Sequence, residues 1–126
     1  MRDKLYDWGL HRNEVEQAIS QLISENFLNE QRFATAFAGG RFRMKQWGRI
    51  KIRMALQQKK VSEACIREAL NQLNEKEYSK TLKKVISDKS KSVKEENLLK
   101  KNYKLAQYAM SRGFEPELVW GILRDE

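Results

Sequence analysis

The chain has 126 residues, 40% of them hydrophobic and 33% charged, with a formal net charge of +8. That apolar content supports a packed core and excludes global disorder, and the length fits one domain or a short array of small units. One cysteine, one histidine, one proline and six glycines exclude a disulfide scaffold, a Cys/His zinc site and the turn-rich pattern of a β-sandwich or barrel.

The first segment with helical periodicity runs from Asn13 to Glu25, with Asn13 as N-cap, Glu16 three residues on, and Val15, Ala18, Ile19, Leu22 and Ile23 as the apolar stripe. Asn26-Phe27-Leu28 reads as a break, after which Asn29 opens a second helix that turns Phe33, Ala34, Phe37 and Ala38 inward and frays near Gly39-Gly40 or one turn later. Gln46-Trp47-Gly48 is a loop. Ile50, Ile52, Met54, Ala55 and Leu56 belong to the next helix, and Ser62 caps another that carries Ala64, Cys65, Ile66, Ala69, Leu70 and Leu73. A shorter helix is expected over Tyr78–Ile86, followed by a linker-like Ser87–Ser92. Helix resumes from Asn97 to Ser111, stopping at Arg112-Gly113 with glycine in the left-handed C′ position. Pro116 then starts the last helix, with Leu118, Val119, Ile122 and Leu123 inward.

These helices repeat. With Gly9-Leu10, Lys60-Val61 and Gly113-Phe114 in register, Val15, Ile66 and Val119 coincide, as do Ile19, Leu70 and Leu123, then Leu22 and Leu73; upstream, Leu5, Leu56 and Ala109 align. The offsets of 51 and 53 residues suit three helices per unit, so the expected fold is all-α, with tandem three-helix repeats forming an elongated, curved helical array. The expected units are residues 1–45, 46–90 and 91–126.

Charge is unevenly placed. Between Gln31 and Ser62 there is no Asp or Glu, while Arg32, Arg41, Arg43, Lys45, Arg49, Lys51, Arg53, Lys59 and Lys60 give +9. Residues 76–104 add +6, from ten lysines against Glu77, Asp88, Glu95 and Glu96, and the remainder of the chain carries −7. Ordinary solvated helices mix both signs, so an acid-free block points to an anionic partner: nucleic acid, an acidic protein groove or anionic lipid. Within it, residues 41–49 interleave cations with Phe42 and Trp47, a composition used for phosphate contact plus base stacking. The competing reading packs those two aromatics into the core. The nine cations are the candidate binding residues.

Enzyme chemistry has little to work with. Gly39-Gly40 lacks the Lys-Ser/Thr of a phosphate loop and follows no strand. Glu14/Glu16 and Glu95/Glu96 sit on polar helix faces, Cys65 lies on an apolar stripe, and His11 falls at a turn. No enzyme activity, cofactor or metal is expected. No apolar run approaches the roughly 18 residues of a membrane span, and Met1-Arg2-Asp3-Lys4 precedes no signal-peptide core. A cytoplasmic monomer without membrane contact is the expectation.

The stretch Leu28-Asn29-Glu30-Gln31-Arg32-Phe33-Ala34, with Phe37, Arg41, Arg43, Trp47-Gly48, Lys51-Ile52, Leu56 and Lys59-Lys60-Val61 downstream, resembles the central motif of the RecX family. Residues 108–123, with Arg112-Gly113-Phe114, are similar to that family's C-terminal repeat. The resemblance covers roughly residues 4 to 123. It implies an array of three-helix repeats and a non-enzymatic regulator that binds the RecA filament, largely along its groove, and damps strand exchange, ATPase and coprotease activity in DNA repair, recombination and the SOS response. Single- or double-stranded DNA is a further partner that it implies for some members. Lys60 stands where the family usually has Gly, and Ala55 where Glu is common, which bears on one turn and one ion pair. The family's Arg- and Ser-containing helix before Met1 is absent, so the first repeat is expected to lack its first helix. The rival reading is a freestanding helical nucleic-acid-binding protein of helix-turn-helix-like units, although no helix N-terminus in the block offers an obvious base-reading set. A third is an adaptor for some other acidic protein.

Overall fold

The computed structural model describes residues 12–125, and of residues 12–16 and 125 the backbone alone. Six helices follow one another: α1 (Arg12–Lys45), α2 (Arg49–Gln58), α3 (Glu63–Asn71), α4 (Glu75–Ser92), α5 (Leu98–Ser111) and α6 (Pro116–Asp125). There is no strand among the described residues. The sequence readings at Leu5, Gly9-Leu10, His11 and the Val15 side chain lie outside the described residues.

Local signals set most helix ends. Ser62 Oγ accepts the Cys65 N–H at 3.4 Å, Asn74 Oδ1 the Glu77 N–H at 3.0 Å, and Asn97 Oδ1 the Lys100 N–H at 3.1 Å. Each side chain satisfies a donor that a helix N-terminus leaves unpaired. One expected interruption is absent. Helix runs straight through Asn26-Phe27-Leu28, and past Gly39-Gly40 it continues about one turn, the later of the two ends expected there, making α1 one element of 34 residues that begins ahead of the expected Asn13 cap. Asn costs only some tenths of a kcal/mol in a helix and Gly about 1. The burial of Ala34, Ala38 and Phe42 at four-residue spacing outweighs both. The supposed linker Ser87–Ser92 forms the last turns of α4. Val85 and Ile86 just before it are buried, lysine is a good helix former, and Lys89 and Lys91 complement the negative end of the helix dipole.

α1, α2 and α3 pack on one another, as α5 packs on α4 and on α6. The α2–α3 and α5–α6 pairs superimpose in pattern at an offset of 53 residues. Both first helices end in the same turn: Val61 N–H bonds to Leu56 C=O and Phe114 N–H to Ala109 C=O, while Lys60 N–H bonds to Gln57 C=O and Gly113 N–H to Met110 C=O. These are Schellman turns, which need a left-handed residue at C′, and φ is +62° at Lys60 and +96° at Gly113. The buried positions Ile52, Leu56, Ile66 and Leu70 correspond at that offset to Leu105, Ala109, Val119 and Leu123. Leu22, placed in the same set by spacing, is instead 43% exposed, and Leu98, Leu99 and Tyr103 are exposed as well.

The two helix sets meet around the start of α2. Gly48, its N-cap, has no side chain to offer, and the first amides of the helix find partners in the second set. Gly48 N–H donates to Arg112 C=O at 2.8 Å, Ile50 N–H to Gly113 C=O at 2.9 Å, and Arg49 N–H to Tyr78 Oη at 2.9 Å. The approach is so close that a Cβ at position 48 would collide with the Gly113 backbone, and one at 113 with Lys51. Arg112 donates to the carbonyls of Lys45 and Gln46, closing the end of α1.

Candidate binding surface

The fold divides the nine cations of the acid-free block among different environments. Arg49 bonds to Glu75 at 2.5 Å and Glu115 at 2.8 Å, and its guanidinium lies 3.9 Å from the centre of the Tyr78 ring. Burial pulls its pKa down, but the hydrogen bond and charge of Glu115 more than offset this, and the pKa is raised overall. Arg53 pairs with Glu63. The acids missing from the block are delivered by α3, by α4 and by Glu115 just ahead of α6. Arg32, Lys45 and Lys60 are exposed and form no ion pair among the described residues.

Arg41, Lys51 and Lys59 share one face with aromatic rings. The Arg41 guanidinium stands 4.8 Å from the Phe37 ring centre and 5.4 Å from that of Trp47. Lys51 Nζ covers Trp47 at 4.7 Å, and Lys59 Nζ lies 5.6 Å from Phe37. Phe33 continues the row, 5.8 Å from Phe37. Positions 33, 37 and 41 fall on one side of α1 because they are four residues apart. Each cation–ring contact at such an exposed site is worth about 0.5–1 kcal/mol, and together they hold the charged heads in a fixed row. Arg41 Nε is shielded from water without an acceptor among the described residues. Such an orphaned donor calls for a functional or structural explanation. Phe37, Arg41, Met44 and Lys45 line a shallow groove of about 170 Å³, and Met44 is 85% exposed.

Of the two aromatics in the basic motif, Phe42 is a core residue and Trp47 is half-buried against the core. Sequence reasoning turned Phe33 and Phe37 inward, yet Phe33 is 46% exposed and Phe37 half-buried. Their four-residue spacing with Arg41 was the available signal for this face. Arg43, two residues from Arg41, points to the opposite side of α1 and folds back over Gly39.

Other parts of the resemblance motif are structural. Glu30 accepts the Ser62 N–H at 2.7 Å, and Gln31 Nε2 donates to Cys65 C=O at 3.1 Å, so this pair fastens α1 to the start of α3. The Ser62 side-chain and backbone hydrogen bonds hold the Glu30 carboxyl below its ordinary pKa. Trp47-Gly48 forms the joint between helix sets, and Lys60 keeps the left-handed turn although it is not glycine. No described helix is long and apolar enough to cross a membrane.

Residues 29–70 match the family described as RecX, second three-helix domain. That segment comprises the second half of α1 with α2 and α3, and straddles the unit boundary expected between residues 45 and 46. The chain is 33% identical over 123 residues to the regulatory protein RecX of Clostridium tetani, covering 96% of this chain and 56% of that one. It is 29% identical over 126 residues to that of Clostridium perfringens strain 13, at 98% and 58% coverage, and 30% identical over 129 residues to that of Clostridium botulinum strain Eklund 17B, at 99% and 59%. The chain thus spans somewhat more than half the length of these relatives. No solved structure gives a significant match. Carrying the second three-helix domain and aligning with these regulatory proteins along nearly its whole length, the chain belongs to the RecX family.

Proposed function

We propose that this chain is a non-enzymatic regulator of RecA that docks on the RecA–DNA filament through the cation–aromatic row and mainly inhibits recombinase, ATPase and coprotease activity, acting in the cytoplasm as a monomer during DNA repair and the SOS response. The observation that carries the reading is the row itself. Phe37 and Trp47 already have the chain's own cations against their rings. A nucleobase would have to displace those cations before stacking. An acidic protein surface needs no such displacement: its carboxylates meet Arg41, Lys45, Lys51 and Lys59, while Phe33 and Met44 supply apolar contact. Arginine, methionine and aromatics are the residue types enriched at the centres of protein interfaces. The name of the relatives, regulatory protein RecX, supports the same partner.

The test is a strand-exchange assay with RecA and a variant carrying Lys45→Glu, Lys51→Glu and Lys59→Glu. These head groups are solvent-reachable, so the circular dichroism spectrum should be retained. Inhibitory potency should fall about tenfold or more, the equivalent of roughly 1.4 kcal/mol of docking energy. A folded variant as potent as the parent sinks the reading. Capture by assembled filament, compared with capture by naked single-stranded DNA, separates filament docking from freestanding nucleic-acid binding.

A further inference from the structure

The start of α2 is the face on which the first helix set receives the second, and the 53-residue register carries that face to the start of α5. Arg49 and Ile50, whose amides bond to Tyr78 and Gly113 across the joint, correspond to Asn102 and Tyr103. At the start of α5 no described element is docked. A groove of about 450 Å³ opens there instead, lined by Leu99, Asn102 and Tyr103 on α5 and by Trp120, Leu123 and Arg124 at the end of α6. Each trio falls on one side of its helix through i, i+3, i+4 spacing. Leu123 is buried and forms the floor, Trp120 is half-buried, and Tyr103 and Leu99 are 57% and 80% exposed, with Leu98 exposed beside them. Units at the end of a helical array keep a polar outer face, whereas the last described set shows Leu98, Leu99, Tyr103 and Trp120. Contiguous exposed apolar surface of this kind marks an interaction site.

Charge selects the occupant. α5 carries Lys100, Lys101 and Lys104 and no acid, and no carboxylate lines the groove among the described residues. Lys104 is held by Glu95 at 3.3 Å, while Lys100, Lys101 and Arg124 form no ion pair among the described residues. The first turn of α5 adds the positive end of a helix dipole. The joint shows what the corresponding face accepts: Arg49 takes the carboxylates of Glu75 and Glu115, and the Tyr78 ring lies against its guanidinium. From this correspondence we infer that the α5–α6 groove docks an acidic segment of a partner protein, with a large apolar side chain seated between Tyr103 and Trp120 and a carboxylate on Arg124. Tryptophan, tyrosine and arginine are the residue types that carry most binding energy at protein interfaces. The groove shares no residue with the cation–aromatic row, so the site goes beyond the regulator reading and is tested without RecA.

The probe is a fluorescein-labelled peptide in which a Phe-Leu pair is flanked on each side by a short run of Asp and Glu, titrated with the full chain and followed by anisotropy. The parent should bind it saturably. A Leu99→Ser, Tyr103→Ser variant, which leaves the net charge unchanged, should bind about tenfold more weakly or worse. Arg124→Ala should weaken binding by about threefold, as loss of one exposed ion pair does. A Met54→Ser, Leu118→Ser variant, which removes exposed apolar side chains outside the groove, should stay within about twofold of the parent. The inference is overturned if the Leu99→Ser, Tyr103→Ser variant or Arg124→Ala binds as the parent does. It is also overturned if a peptide of the same charge with Ser-Ser for Phe-Leu binds equally well, which would reduce the contact to charge attraction. Absence of saturable binding by the parent overturns it too, and sedimentation of the chain with phosphatidylglycerol vesicles would then make the face a lipid contact. Leu99 and Tyr103 are exposed, so circular dichroism should show both apolar variants folded before affinities are compared.

Discussion

At the residue scale, Tyr78 has a larger part than its place in a lysine-rich helix suggests. Its ring is 5.6 Å from that of Phe42 and 5.3 Å from that of Phe114, so one side chain touches α1 and the approach to α6. Its hydroxyl accepts the Arg49 N–H and donates to Glu115. Removing that oxygen strands a donor at the start of α2 and a carboxylate beside Arg49. Tyr78→Phe should therefore cost about 1–3 kcal/mol in denaturant unfolding, as leaving buried polar groups unpaired does. Burial and the Glu115 hydrogen bond raise the pKa of the phenol. A raised folded-state value means that stability is fully present below the unfolded value, about 10. It is lost as pH climbs from there toward the folded value. The difference in melting temperature between parent and Tyr78→Phe should thus be constant near neutrality and narrow above about pH 10. A difference that is flat across that range would mean the hydroxyl is not held in its neutral form by the fold.

At the scale of elements, the two Schellman turns are a natural experiment in one chain. Lys60 and Gly113 occupy equivalent C′ positions, but only one is glycine. A left-handed non-glycine residue carries strain on the order of 1 kcal/mol. Lys60→Gly should raise stability by up to about that amount, less the extra chain entropy glycine brings to the unfolded state. Gly113→Ala should do the reverse and more, losing at least about 2 kcal/mol, because its φ of +96° disfavours any side chain and its Cβ would strike Lys51. Paired denaturation midpoints check both signs. The same turns show what was legible in the sequence. Ser62, Asn97, Pro116 and Gly113 announce helix ends through chemistry confined to a few residues, and the 53-residue register places Ile66 with Val119 and Leu70 with Leu123. The continuity of α1 was not legible, because the packing of Ala34, Ala38 and Phe42 against other helices decides it. Nor were the partners of Arg49, which lie 26 and 66 residues away. An acid-free run in sequence is therefore not an acid-free surface. The cation–aromatic row was half legible: the basic residues were evident, but the outward turn of Phe33 and the half-burial of Phe37 depend on which side of α1 faces α3.

At the scale of the whole molecule, the two helix sets are joined by backbone hydrogen bonds as well as by side chains. α2 begins without a side-chain cap and borrows the carbonyls of Arg112 and Gly113, so its first turn is complete only when the second set is docked. Each of those hydrogen bonds contributes about 1 kcal/mol net, and Tyr78 adds apolar packing across the same joint. Such coupling at an interface makes neighbouring units unfold together, as nearest-neighbour terms do in repeat proteins. Gly48 is the position at which the joint can be opened without touching either core, because a Cβ there meets the Gly113 backbone and little else can move aside. Trp47 reports on the first set and Trp120 on the second, both half-buried, and replacing Trp8 by Phe leaves these two as the fluorescent probes. In that background, with Trp47→Phe or Trp120→Phe to isolate each signal, the urea transitions of the two probes should coincide. Adding Gly48→Ala should pull them apart into two midpoints, while circular dichroism in buffer still shows a helical protein. Coincident transitions in the Gly48→Ala protein, merely shifted to lower urea, would place the coupling in the Phe42–Tyr78–Phe114 packing instead of the backbone joint.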